Sequence, residues 1–144
     1  MKAMSFPLMA AAGTAVLLLT GCSGHVGLKA LDRAATPEDS LPAALAMPAE
    51  VNAATTRLLA TKDGVRYFAA ESDDARTACL AVVPPGEAPP WHVGCSAQTG
   101  PGQIVMLSVL NGALSTILLA DGSDTGMLEP GWTKIADNIL VADR

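Results

Sequence analysis

Aromatic and charged residues are both scarce in this chain of 144 residues, at 3% and 16% of the sequence. Ordinary globular domains carry about 25% charged residues. The nine Lys and Arg residues are outnumbered by fourteen Asp and Glu, so nucleic acid is not expected as a partner. The only histidines are His25 and His92, and we expect neither a bound metal nor another cofactor. The length limits the chain to one small domain.

Signatures of catalysis are missing as well. The sequence has no Cys-x-x-Cys pair, no Gly-x-Ser-x-Gly motif and no glycine-rich phosphate loop. The residues from Asp121 to Gly126 resemble the start of an EF-hand, but Trp132 stands where that loop needs Glu, so we interpret them as a solvated turn. We assign no catalytic residue. The remaining acidic candidates in predicted loops are Asp73, Asp74, Asp121, Asp124 and Glu129.

The N-terminus has the composition of an export signal. Residues 1–5 include one lysine, residues 8–19 form an uncharged and largely apolar stretch, and the small residues Thr20 and Gly21 follow. This order is typical of a secretory signal peptide. The stretch is shorter than the roughly 20 apolar residues that a membrane-spanning helix needs.

The signal ends in Leu19-Thr20-Gly21-Cys22, which resembles the lipobox of bacterial lipoproteins. The resemblance implies that the signal peptide, residues 1–21, is removed and that a diacylglycerol is attached to Cys22. Fatty acyl chains such as palmitate then hold the protein in the membrane. It also implies a location at the extracytoplasmic face of the cell membrane. We therefore predict Cys22 as a lipidation site and the membrane as its partner.

The cysteine count is consistent with this prediction. If Cys22 carries the lipid, Cys79 and Cys95 remain as one pair, and an oxidising compartment favours a disulfide between them. In the alternative, Cys95 and His92 form a nucleophilic pair, which requires a free thiolate. Their odd separation would also place the two side chains on opposite faces of a strand. We predict a structural disulfide.

The rest of the mature chain divides at about residue 54. Residues 22–53 are expected to form a flexible tether, because three prolines interrupt them and their apolar residues follow no sustained period. Residues 54–144 contain short apolar runs separated by turn signals, of which Asp63-Gly64 and Asn111-Gly112 are the strongest. We predict an all-β domain there, a small antiparallel sandwich or meander. Its strands are expected at 57–61, 65–70, 78–83, 91–96, 103–110, 113–120, 132–135 and 139–142.

A second resemblance lies in five short stretches of this domain. They are Arg57-Leu58-Leu59, Val65-Arg66-Tyr67-Phe68, Ala78-Cys79-Leu80-Ala81-Val82, Gly94-Cys95-Ser96 and residues 132–141. With these stretches the chain is similar to small uncharacterised lipoproteins that are common in actinobacteria. The resemblance extends over about two-thirds of the chain and implies the fold and the class of protein. It implies no catalytic residue.

Three functions remain open. We favour a membrane-anchored, non-enzymatic module of the cell envelope, which acts structurally or binds an envelope component or another protein. An envelope hydrolase or metal-dependent enzyme would require two of the acidic candidates to converge in a cleft with raised pKa values. A module that senses a small ligand would require an apolar pocket lined by Trp91 or Trp132.

Overall fold

The computed structural model describes residues 28–86, 91–98, 100–109, 114–125 and 130–143, which contain eight β-strands. The strands are β1 (Arg57–Lys62), β2 (Val65–Glu71), β3 (Thr77–Val83), β4 (His92–Ala97), β5 (Gln103–Val109), β6 (Leu114–Leu119), β7 (Trp132–Ala136) and β8 (Ile139–Ala142). The prediction of an all-β fold is confirmed. Each predicted strand is present, with ends that shift by no more than one residue.

Two antiparallel sheets of four strands form the body of the protein. The first sheet has the order β1-β2-β3-β4 and is a meander, whereas β8 lies between β6 and β7 in the second, which has the order β5-β6-β8-β7. β4 lies beside β5 and β1 lies beside β7, so the two sheets face each other. The architecture is therefore a small sandwich.

The turn between β1 and β2 explains why this hairpin is readable from the sequence. Asp63 and Gly64 have φ angles of 52° and 77°. Positive φ at both central positions is characteristic of a type I′ turn, whose twist matches that of the flanking strands. Asn111-Gly112 lies outside the described residues, but the strands on either side of it pair as predicted, with Val109 opposite Leu114.

The core lies between the two sheets and follows the alternation of side chains along the strands. Its members in the first sheet are Val65, Tyr67, Ala69, Ala78, Leu80 and Val82. Its members in the second sheet are Ile104, Val105, Val109, Leu114, Leu118, Ile139 and Val141. Leu28 and Leu31, which precede all of the strands, are buried in the same core.

We call residues 28–56 the strap. Its first residues are buried between the sheets, and its later residues form a third layer. Three short 3-10 helices lie in it, at Lys29–Leu31, Pro37–Asp39 and Ala53–Thr55. Leu45 is buried against Phe68, Ala81 and Val83, on the face of the first sheet that points away from the second. Farther along the same face, Val51 is buried against Ala70 and Cys79. The strap therefore covers the outer face of the first sheet.

The structure differs here from the flexible tether that was expected over residues 22–53. Prolines prevent a continuous helix or strand, but they do not prevent single apolar side chains from being buried from irregular backbone. Residues 28–53 supply four such side chains, Leu28, Leu31, Leu45 and Val51. The folded body thus includes the described part of the predicted tether, and it begins before the boundary predicted at residue 54. Residues 22–27, including Cys22, lie outside the described residues.

Candidate functional site

The cysteine pair lies where β3 and β4 run side by side. Cys79 and Cys95 are opposite each other in the register, and their Sγ atoms are bonded at 1.97 Å. The predicted disulfide is confirmed. Cys95 is therefore not available as a thiolate nucleophile beside His92. His92 is opposite Val82, whose side chain points into the core between the sheets. Cys95 is opposite Cys79, which faces the strap. His92 and Cys95 therefore lie on opposite faces of β4, as their odd separation predicts.

The acidic residues between β2 and β3 accept hydrogen bonds from the strap and from their own turn. Asp73 accepts a hydrogen bond from Asn52 Nδ2 at 2.7 Å, and Asp74 accepts one from Ser72 Oγ at 2.6 Å. The Ser72 hydroxyl lowers the pKa of Asp74, and the backbone N–H of Arg76 lowers it further. An acid that donates a proton near neutral pH needs a raised pKa instead.

Asp121 lies in a different turn, at the end of β6, and joins three parts of the chain. Its Oδ2 accepts the backbone N–H of Lys29 at 2.8 Å, and its Oδ1 accepts Asn138 Nδ2 at 2.9 Å. Asp124 is exposed in the same loop, and Glu129 lies outside the described residues. Within the described ranges, no three His, Cys, Asp or Glu side chains are grouped so that they could hold a metal ion.

The two tryptophans lie on different parts of the surface. Trp91 directly precedes β4 and is 38% exposed. Trp132 is half-buried against Ile117, Leu119 and Leu140 on the outer face of the second sheet. The two tryptophans therefore do not lie together on one ligand-binding surface.

The strap contains an ion pair between a buried carboxylate and a partly exposed arginine, which sequence reasoning missed. Arg33 donates from Nη1 and Nη2 to the two carboxylate oxygens of Asp39, at 2.7 Å and 2.5 Å. The backbone N–H groups of Thr36 and Leu58 also donate to Asp39, each at 2.7 Å. The Arg33 guanidinium holds the pKa of the Asp39 carboxyl well below its usual range, and the backbone donors lower it further. Because Leu58 belongs to β1, this carboxylate joins the strap to the first sheet.

A second arginine completes the attachment of the strap. Arg57, the first residue of β1, is buried and donates from Nε to the Arg33 carbonyl oxygen at 2.9 Å. Its Nη1 donates to the carbonyl oxygens of Ala54 and Thr56 at 2.9 Å and 2.8 Å. These contacts give the strap a fixed path over β1. The guanidinium groups of Arg33 and Arg57 therefore both have structural roles.

Among the cavities lined by described residues, two lie at opposite ends of β6. At the Leu114 end, a cavity of about 240 Å³ opens beside the β1–β2 turn and is lined by Lys62, Asp63 and Tyr67 among others. At the Asp121 end, a cavity of about 560 Å³ is lined by Lys29, Ala30, Asp121, Gly122, Ser123, Lys134, Asp137 and Asn138. A smaller cavity of about 260 Å³ adjoins it.

The fourth cavity is a groove of about 450 Å³ between parts of the strap. Leu41, Leu45 and Met47 give it a largely apolar lining, together with several alanines. Of the four acidic candidates that the structure describes, Asp121 is the one that lines one of these cavities, and neither tryptophan lines any of them. Among the described residues, these cavities therefore bring together neither two of the acidic candidates nor an apolar pocket lined by Trp91 or Trp132.

No family model, curated protein or solved structure matches the chain. Among the described residues there is also no helix whose length and apolar character would let it cross a bilayer.

Proposed function

We propose that this chain is a lipoprotein of the bacterial cell envelope, held at the extracytoplasmic face of the membrane by a lipid on Cys22. Its sandwich serves as a non-enzymatic module that binds an envelope component or another protein, or acts structurally. The observation that carries this proposal is the disulfide between Cys79 and Cys95. It accounts for every cysteine except Cys22, which ends the run Leu19-Thr20-Gly21-Cys22.

The disulfide supports an extracytoplasmic location because such bonds persist in oxidising compartments and are rare in the cytosol. A protein that crosses the membrane by way of a signal peptide reaches such a compartment. The odd cysteine count then has a chemical reason, since the third thiol carries the lipid.

The use of the acidic side chains supports a non-enzymatic role. Asp73, Asp74 and Asp121 each accept hydrogen bonds that hold turns or the strap in place. The pKa of Asp74 is lowered by the Ser72 hydroxyl. These carboxylates therefore have structural roles. In a binding module, the residues that contact the partner are expected in surface loops.

Replacement of Cys22 tests the proposal in cells that produce the full chain. An alkyne analogue of palmitate should label the wild-type protein and should not label Cys22→Ser, because serine has no thiol to accept the diacylglycerol. Ser23→Ala is the matched control at the neighbouring position, and it should be labelled and found in the membrane fraction like the wild type. A wild-type chain without label, or a labelled Cys22→Ser variant, would overturn the proposal.

A further inference from the structure

The strap joins the folded body at Leu28, the first described residue. The Leu28 side chain is fully buried in the core between the two sheets, and Leu31 is buried beside it. Between them, Lys29 donates its backbone N–H to Asp121 Oδ2 at 2.8 Å. The chain is therefore fixed to the Asp121 end of the sandwich, close to the turn that contains Asn138.

Few residues separate this point from the proposed lipid. Leu28 is the sixth residue after Cys22. Six residues span at most about 22 Å when fully extended. A folded domain of this size is about 35 Å across. If the Leu114 end faced the bilayer, this segment would have to run nearly fully extended along the whole length of β6, so the lipid is most easily placed at the Asp121 end.

The Asp121 end carries side chains that suit lipid headgroups. Lys29 and Lys134 are both exposed and line the cavity of about 560 Å³. The Nζ atom of Lys134 lies 3.5 Å from Asp137 Oδ1, an ion pair on the surface that gives way easily to another anion. The oxygens of Asp121 already accept hydrogen bonds from Lys29 and Asn138. Two ammonium groups at this end are thus placed to attract phosphates.

The overall charge favours the same orientation. The chain has a formal net charge of -5. The cavity at the Asp121 end is lined by two lysines and two aspartates, so its charges balance while the molecule as a whole carries excess negative charge. Anionic lipids repel a balanced surface less than a negative one, so this end approaches the bilayer more easily than the average surface does.

We propose that the Asp121 end is a membrane-docking surface, which lies against the lipid headgroups in the anchored protein and contacts their phosphates through Lys29 and Lys134. The Leu114 end and its cavity of about 240 Å³ then face away from the bilayer, where an envelope partner can reach them. This inference rests on the proposed lipid at Cys22. It adds the orientation of the body, which an anchor on a long tether would leave free.

Hydrogen exchange of the purified, lipidated protein tests the docking surface. The protein is reconstituted in vesicles of phosphatidylethanolamine and phosphatidylglycerol, and it is compared with a variant that has a Gly/Ser insertion of about 20 residues after Ser23. Peptides covering residues 29–33, 121–125 and 134–138 should exchange about threefold more slowly in the wild type than in the variant. A peptide covering residues 62–66, at the Leu114 end, should exchange at the same rate in both.

Charge variants test the contact with phosphate separately. The double variant Lys29→Gln, Lys134→Gln should lose at least about half of the slowing at the Asp121 end. Lys62→Gln is the matched control at the Leu114 end and should retain all of it. If the double variant exchanges like the wild type, the two lysines do not contact the headgroups and the proposed surface is wrong in this respect.

The mass of the N-terminal peptide separates the two levels of the proposal. If Cys22 carries no lipid in the purified protein, both the proposed function and the docking surface are overturned. If Cys22 is lipidated but residues 62–66 are slowed, or no peptide is, the docking surface alone is overturned and the anchor stands.

Discussion

At the scale of single residues, Asp39 is the buried charge on which the position of the strap depends. It is 5% exposed and accepts hydrogen bonds from Arg33, Thr36 and Leu58. The Arg33 guanidinium lowers the pKa of Asp39, so the folded state favours the charged form. A carboxyl with a lowered pKa stabilises the fold above its unfolded pKa of about 3.9, and this contribution is lost as the pH falls toward the folded value.

Asp39→Ala should therefore lower the free energy of unfolding by about 2 kcal/mol at pH 7, because it leaves donors of Arg33, Thr36 and Leu58 without their acceptor. The difference from the wild type should shrink as the pH falls below about 4. Urea denaturation followed by circular dichroism at several pH values measures both effects. Glu38→Ala, at the exposed neighbouring position, should change the free energy by less than about 0.5 kcal/mol. An unchanged stability of Asp39→Ala at pH 7 would contradict this role.

The sequence contains a local signal for Asp39 but none for its main partner. Thr36-Pro37-Glu38-Asp39 follows the capping-box pattern, in which an acidic residue bonds back to the residue that begins a helix. Arg33 and Leu58 approach Asp39 only through the path of the strap over β1. Such contacts depend on tertiary structure, and no periodicity in the sequence indicates them.

At the scale of elements, the strands were predictable because their limits are local. Turn residues such as Asp63-Gly64 end one apolar run and begin the next, and the positive φ angles at both positions match this reading. The side chains of β2 and β3 alternate between two buried faces, so these strands have nearly continuous apolar sequences. Their length and β-branched residues still identify them as strands.

The strap was not predictable in the same way. Leu28, Leu31, Leu45 and Val51 are buried at irregular spacings from 3-10 turns and extended backbone. Hydrophobic periodicity detects only regular elements, so this segment has the sequence pattern of a spacer. The nearly continuous apolar sequences of β2 and β3, which are buried on both faces, were the available sign that a further layer covers the first sheet.

Removal of the strap is the direct test of its role. A chain that begins at residue 54 exposes the outer face of the first sheet and loses four buried side chains, each worth about 1.5–3 kcal/mol. We expect it to unfold at a temperature at least about 15 °C lower than a chain that begins at Leu28, or to be unfolded. Thermal unfolding followed by circular dichroism distinguishes the two. Equal and cooperative unfolding of both chains would show that the strap is a separable spacer.

The disulfide belongs to the pairing of β3 with β4. Cys79 and Cys95 are 16 residues apart, and the bond joins the exposed strand β4 to its neighbour β3. Replacing both cysteines with alanine should lower the free energy of unfolding by about 3 kcal/mol in the loop-entropy picture. Chemical denaturation with and without a reductant measures this. Reductant should destabilise the wild type and leave the double variant unchanged; sensitivity of the double variant would contradict a role for this bond.

At the scale of the whole molecule, the architecture has three layers, the strap and the two sheets. The order β5-β6-β8-β7 places a later strand between two earlier ones, which short-range turn signals cannot predict. The core that the two sheets share also includes Leu28. The same residue limits the distance between the body and Cys22, so the fold and the proposed anchor are linked through one short segment.

The mass of the mature N-terminus tests the central claim, the lipid anchor on Cys22, most directly. The protein is extracted from membranes with detergent and digested, and its N-terminal peptide is measured by mass spectrometry. The peptide should begin at Cys22, the residue after the predicted signal peptide, and should carry a diacylglycerol with its thioether-linked glycerol. An unmodified Cys22, or a mature chain that begins at any other residue, would contradict the claim.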